Sequence, residues 1–259
     1  AAFFFITIFF TSSLHEFRLK FFRSPTEKHV LSTYIKIEII NFVKYFLTNV
    51  IIISRCRGSN TSTARRNTMK FLITGGCGFI GSHLAERLLA DNHEVSVIDD
   101  LSTGNLENVS GIHGKKNFHL VVDTVMNEVM VSELVEESDF VFHLAAVVGV
   151  KRVMENPVDS VVINVEGTYN VLKSCARFKR KILIASTSEV YGKNERIPFG
   201  EDADIIIGST RKKRWSYACA KAMDEFLALA YHEEKGLPVI IVRLFNTVGP
   251  RQSDRYGMV

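Results

Sequence analysis

From Met69 onward, short apolar runs alternate with longer stretches of helical period. Lys70-Phe-Leu-Ile-Thr74 is apolar and ends in glycines. Phe79 to Ala90 sets Ile80, Leu84, Leu88 and Leu89 on one side, which predicts a helix. Glu94–Asp99, Phe118–Val122 and Asp139–Leu144 read as strands, and residues 158–178 as a helix. Ile182–Ala185 is strand-like, Tyr217–Glu234 is a second long helical stretch, and Pro238–Arg243 closes the series. Near-continuous apolar strands separated by helices predict a parallel sheet covered on both faces. That doubly wound α/β arrangement places a ligand at the carboxyl ends of the strands. Residues 192–216 have no strong period and read as a loop over that site.

Residues 1–68 break the pattern. They are rich in Phe, Ile, Thr, Ser and Asn, and the first methionine of the chain is Met69. Two readings compete: a targeting or anchoring segment, and a stretch translated in frame from upstream of the true start. The opening run AAFFFITIFF is too short for a bilayer, which needs roughly 20 residues. The second run, Ile39 to Ser54, is broken by Asn41, Lys44 and Asn49. The order of a signal peptide, basic then apolar then a small-residue site, is not met. The expectation is therefore a disordered or upstream-translated extension over 1–68, no membrane partner, and one domain over 69–259.

Composition changes this picture little. Of 259 residues, 46% are hydrophobic and 23% charged, enough for a sizeable core. The net charge of +4 is dispersed except for Arg65-Arg66 and Arg211-Lys-Lys-Arg214. The second cluster is a weak nucleic-acid footprint and fits a solvated loop better, so no nucleic-acid partner is expected. Cys56, Cys77, Cys175 and Cys219 form no CxxC and no metal-like spacing. No metal and a reducing compartment, the cytoplasm, are expected.

The first strand runs into Thr74-Gly-Gly-Cys-Gly-Phe-Ile-Gly81. Gly75 permits a tight turn, Gly78 leaves room for a pyrophosphate, and Gly81 lets the helix approach the strand. The N–H groups at the helix start, Phe79 to Gly81, would then face negative charge along the dipole. Asp99, at the end of the second strand, suits the ribose hydroxyls of an adenosine. No arginine follows it directly, so NAD is expected rather than NADP. Its alternative is a carboxylate that merely caps the next turn.

Tyr217-Ala-Cys-Ala-Lys221 puts a tyrosine and a lysine on one helical face. The lysine is expected to lower the phenol's pKa from about 10 toward neutrality, making it a base for a sugar hydroxyl. Thr187, at the end of the preceding strand in Ser186-Thr-Ser-Glu-Val-Tyr-Gly192, is expected to bond the same hydroxyl.

TGGCGFIGSHL, VIDDLSTG, HLAA, NVEGTYNVL, STSEVYG, YACAK and RLFNTVGPR stand in that order over residues 74–251. Together they resemble the extended short-chain dehydrogenase/reductases, specifically the NAD-dependent epimerases and dehydratases of nucleotide sugars. The resemblance implies a Rossmann fold and a nucleotide-diphosphate sugar as substrate. It implies that Asp123 contacts the adenine, that Leu144, Ala145 and Ala146 line the dinucleotide, and that Tyr217 and Lys221 reach the nicotinamide ribose. It also implies substrate contacts from Ser188 and Asn246, catalysis by Thr187, Tyr217 and Lys221, and a homodimer.

Family members continue past this chain's end, so most of the smaller substrate domain is expected to be missing. The implied chemistry is transient C4 oxidation, 4-epimerase-like. Decarboxylation of UDP-glucuronate, dehydration, or an inactive NAD-binding fragment are the alternatives. Glu189 is either catalytic or a carboxylate salt-bridged at the cleft mouth. Ser188 stands where 4,6-dehydratases carry an acid, which argues against that branch.

Overall fold

The computed structural model describes residues 68–195, 197–245, 247 and 249–253, and the backbone of three strands nearer the N-terminus. Those strands are β1 (Phe5–Phe10), β2 (Glu16–Phe21) and β3 (Tyr34–Lys36). Then follow β4 (Lys70–Thr74), α1 (Phe79–Ala90), β5 (Glu94–Ile98), β6 (Phe118–Val121), α2 (Glu128–Glu136) and β7 (Phe140–His143). The chain continues through α3 (Val150–Glu155), α4 (Pro157–Phe178), β8 (Lys181–Thr187), α5 (Trp215–Lys235) and β9 (Val239–Leu244).

The strands order β3-β2-β1-β9-β8-β7-β4-β5-β6. From β9 to β6 every pairing is parallel, with Leu72 opposite Ser96 on one side and Val141 on the other. β1 runs parallel to β9, and β2 and β3 follow antiparallel. The expectation for residues 1–68 otherwise falls outside the described residues.

The sheet is parallel because helices return the chain to the same end, and both faces must then be covered. Alternation along β4 shows it. Phe71 and Ile73 join a core with Leu84 and Leu88 of α1, while Leu72 joins the opposite core with Leu134, Leu172 and Ala228. Each such Leu contributes about 1.5–3 kcal/mol by leaving water. Ile80 departs from its expected place on the packed face of α1 and lines a cavity instead.

The predicted elements hold to within two residues, and the doubly wound sheet is as expected. Two helices went unpredicted. α2 carries its own signals, with Asn127 capping through an oxygen that accepts from the Met130 N–H, and Val131, Leu134 and Val135 on one face. The order of strands reverses between β4 and β7, and there the cavity opens at their carboxyl ends.

Candidate functional site

The cavity is about 400 Å³. Its floor is the turn between β4 and α1. Gly75 has φ +72°, where a side chain is strained, and a Cβ there would press on the Ala145 backbone at 2.9 Å. A Cβ on Gly81 would strike the Gly75 carbonyl, so α1 can lie this close only without one. Gly78 caps α1 with no side-chain hydrogen bond, and it lines the cavity with Phe79, Ile80 and Gly81. Backbone N–H groups at the start of α1 are thus left for an anion.

Asp99 lies at the same wall, nearly buried. Its Oδ2 accepts from the Cys77 N–H and its Oδ1 from the Leu101 N–H, both at 2.9 Å. Burial raises its pKa above the usual carboxylate value, against the pull of those two bonds. It therefore caps the glycine loop and the next turn, yet two carboxylate oxygens still hold lone pairs for further donors. Asp123 is similarly tied, to the Thr124 N–H and the Asn127 amide, each at 2.7 Å. Leu144, Ala145 and Ala146 form the opposite wall. They are held by Leu144 N–H to Thr74 carbonyl at 3.1 Å and by Ala145 N–H to Thr74 Oγ at 3.1 Å. Asn164 of α4 pins the next residue, its amide bonding both the N–H (2.6 Å) and the carbonyl (3.2 Å) of Val147.

Deeper in, Thr187, Ser188, Glu189 and Tyr217 line the same space. Thr187 ends β8 and accepts from the Glu189 N–H at 3.2 Å, turning the chain into a short 3-10 segment, Ser188–Tyr191. Its hydroxyl also lies near enough to the Tyr217 hydroxyl to favour the phenolate. The Glu189 carboxylate lies 3.9 Å from the Arg214 guanidinium, a loose pair at the rim. Arg214 in turn stacks over the Trp215 ring at 5.1 Å. Asn246 lies outside the described residues.

Lys221 does not line the cavity; its Nζ is buried against Asp224 Oδ2 at 2.7 Å. The pKa of the Tyr217 hydroxyl is raised, where the lysine spacing led to the expectation that it would be lowered. Burial of its hydroxyl raises its pKa well above the ordinary phenol, the carboxylates of Glu189 and Asp224 add to this, and only the Thr187 hydroxyl opposes it.

The family model described as GDP-mannose 4,6 dehydratase matches residues 72–258. The chain belongs to this family. A UDP-N-acetyl-alpha-D-glucosaminuronate decarboxylase of Bacillus cytotoxicus is 45% identical over 183 residues, covering 71% of this chain and 56% of the relative. UDP-glucuronic acid decarboxylase 1 of Xenopus tropicalis is 37% identical over 196 residues, covering 76% of this chain and 45% of its own length. The chain thus spans about half the length of the curated relatives it matches.

Among solved structures, the UDP-N-acetylglucosamine 4-epimerase of Methanobrevibacter ruminantium superposes with a TM-score of 0.68 at 31% identity. That match covers 74% of this chain and 60% of the other. The dTDP-glucose 4,6-dehydratase DesIV of Streptomyces venezuelae, solved with NAD, gives 0.65 at 31% identity, over 71% of this chain and 58% of its own. The extended short-chain dehydrogenase/reductase assignment read from the motifs is what these matches show.

Around the family's tyrosine and lysine, two buried polar groups escaped the sequence reading. Glu225 accepts from Arg243 through both oxygens, at 3.0 and 2.7 Å, and Ser186 Oγ donates to it at 2.5 Å. This ties β8, β9 and α5 together below the cavity. The second is His143, the last residue of β7, between Thr74 Oγ at 2.8 Å and Thr168 Oγ at 3.0 Å. Burial, helped by the Lys221 ammonium, lowers its pKa to about 3.

An unfolded histidine titrates near 6.5, so the unfolded chain binds about one more proton than the native one between those values. Stability due to neutral His143 is complete above about pH 6.5 and falls away as pH drops toward 3. Urea midpoints measured across that range should decline more steeply for this chain than for His143→Gln. Parallel declines would remove His143 as the cause.

Proposed function

We propose that this chain is the cofactor-binding and catalytic part of an NAD-dependent nucleotide-sugar enzyme, and that its reaction is decarboxylation of a UDP-uronate. The residues present fit the dinucleotide. The uncapped start of α1 suits the pyrophosphate, Asp99 the adenosine ribose, Asp123 the adenine side, and Leu144–Ala146 the wall against which the rings lie. NAD, when bound, supplies the acceptor and returner of hydride at the sugar's C4.

The chain's own residues supply the proton chemistry. Tyr217 takes the C4 hydroxyl proton, and Thr187, beside it in the cavity, orients that hydroxyl. A C4 ketone lies β to a C6 carboxylate. The C5–C6 bond can then break with its electron pair drawn toward the ketone, releasing carbon dioxide, and C5 must gain a proton. Glu189 is the ionisable side chain beside Tyr217 and Thr187 in the cavity placed to handle that proton, and Ser188 is the sugar contact next to it.

The observation that carries this reading is Glu189 in the catalytic cavity with Ser188, not an acid, beside it. The two decarboxylase relatives support it. The 4-epimerase expectation is second, favoured by the superposition on an epimerase. The test is product mass from UDP-glucuronate and UDP-N-acetylglucosaminuronate with NAD, using the chain joined to the C-terminal part of a matched decarboxylase. Loss of carbon dioxide is expected; unchanged mass with inverted C4 would select epimerisation instead.

A homodimer is proposed for the intact enzyme. Val158, Val161, Val162 and Tyr169 on α4 and Met223 and Phe226 on α5 are exposed. Apolar stripes on two adjacent helices suit an isologous contact with a second copy. Phe226→Asp should shift the chain from dimer to monomer in sedimentation, with NAD binding kept. An unchanged sedimentation coefficient would place the interface elsewhere.

A further inference from the structure

Asp224 is fully buried, on the turn of α5 that follows Lys221. Its Oδ2 holds the lysine ammonium at 2.7 Å, with the two side chains 3% and 0% exposed. Its Oδ1 has no hydrogen bond of normal geometry, although the Thr168 hydroxyl is near enough to stabilise the carboxylate. A buried carboxylate with one oxygen so thinly partnered is costly unless something fixes it there.

The surrounding bonds have a direction. The Ala145 N–H donates to Thr74 Oγ at 3.1 Å, so the Thr74 hydroxyl hydrogen is free to donate to His143 Nδ1 at 2.8 Å. With that assignment, neutral His143 carries its proton on Nε2 and donates it to Thr168 Oγ at 3.0 Å. The Thr168 hydroxyl is left with one hydrogen, and Asp224 is the acceptor beside it. Thr74, His143 and Thr168 thus lead from the end of β7 toward Asp224, whose other oxygen holds the Lys221 ammonium.

We propose that Asp224 is a positioning residue that fixes the buried Lys221 ammonium one turn along α5 from Tyr217 and so governs how much of that charge reaches the Tyr217 hydroxyl. The assignment of Tyr217 as the base rests on the proposed function; the hold of Asp224 on Lys221 does not. Other charged groups near the pair are Glu189 on the 3-10 segment, Glu225 beside Asp224 on α5, and His143 on β7, which stays neutral above about pH 3. Of these, Glu189 and Asp224 oppose ionisation of Tyr217.

The experiment needs neither nucleotide sugar nor turnover. Tyrosinate absorbance is titrated in this chain and in Tyr217→Phe, and the difference isolates one phenol among seven tyrosines. The pair is repeated with Asp224→Asn. Removing the carboxylate's charge and freeing Lys221 should move the Tyr217 titration down by about one pH unit, an approximately tenfold rise in tyrosinate at a fixed alkaline pH. In a Lys221→Met background the same substitution should move it by less, because the part that acts through the lysine is gone.

No displacement in a folded Asp224→Asn chain, or an equal displacement without Lys221, overturns the proposal. Should Asp224→Asn not fold, Thr168→Val keeps both charges and loosens the carboxylate. A smaller shift in the same direction is then expected, and none would count against it. If the shift appears but the completed enzyme converts no UDP-uronate, the functional reading fails while the role of Asp224 stands.

Discussion

Tyr217→Phe should lower conversion of the UDP-uronate by roughly 10²–10⁴-fold in a chain completed at its C-terminus, since a positioned acid–base group contributes about that much. The phenylalanine keeps the ring that walls the cavity and removes only the hydroxyl oxygen. NAD binding should survive, and the single tryptophan, Trp215, next to the cavity-lining Arg214, offers a fluorescence reading of it. The result is sharper for Tyr217 being held as a phenol in this structure. Whatever charge accompanies bound substrate and cofactor must overcome burial and two carboxylates. Conversion that persists in Tyr217→Phe with its rate intact would remove this residue as the base.

Arg243→Met should cost about 3–5 kcal/mol of stability, the usual penalty for leaving one member of a buried ion pair alone. For a domain of this size that corresponds to roughly 10 °C in Tm. Glu225 would be stranded with Ser186 as its remaining donor, and Tyr191 would lose the guanidinium that lies 4.7 Å over its ring. The loop over the site would loosen too, because Arg243 Nη1 donates to the Glu201 carbonyl at 3.1 Å. Arg243→Met/Glu225→Leu should recover most of the loss, since an apolar pair of similar volume carries no unpaired charge. Thermal unfolding of the three chains decides it: a single variant as stable as the parent would mean that the pair contributes nothing.

What could be read from the sequence was whatever local pattern determines. β4 and β5 are unbroken apolar runs, and the glycine spacing between β4 and α1 follows from backbone geometry, so both were legible. α2 is only nine residues long, and its apolar face shows three buried positions, too few for a periodic signal. For Lys221, helical spacing says which side chains share a face, not which partner captures a flexible amine. Asp224, three residues on, captures it. The Ser186–Glu225–Arg243 group was invisible for a further reason: its members come from β8, α5 and β9, which only the folded sheet brings together.

The order of the strands also sets the order in which the molecule can be made. Among strands β4 to β9, β4 is the first to leave the ribosome, and it ends in the interior of the sheet, between β5 and β7. Its β5 side closes early, through a helix of twelve residues. Its other side stays open until Phe140–His143 emerges, and β8 then waits for Val239–Leu244. Pairings this distant in sequence make assembly slow, and an open hydrophobic strand edge is what foldases and aggregates both recognise. The half-made chain is therefore the species most in need of protection during synthesis.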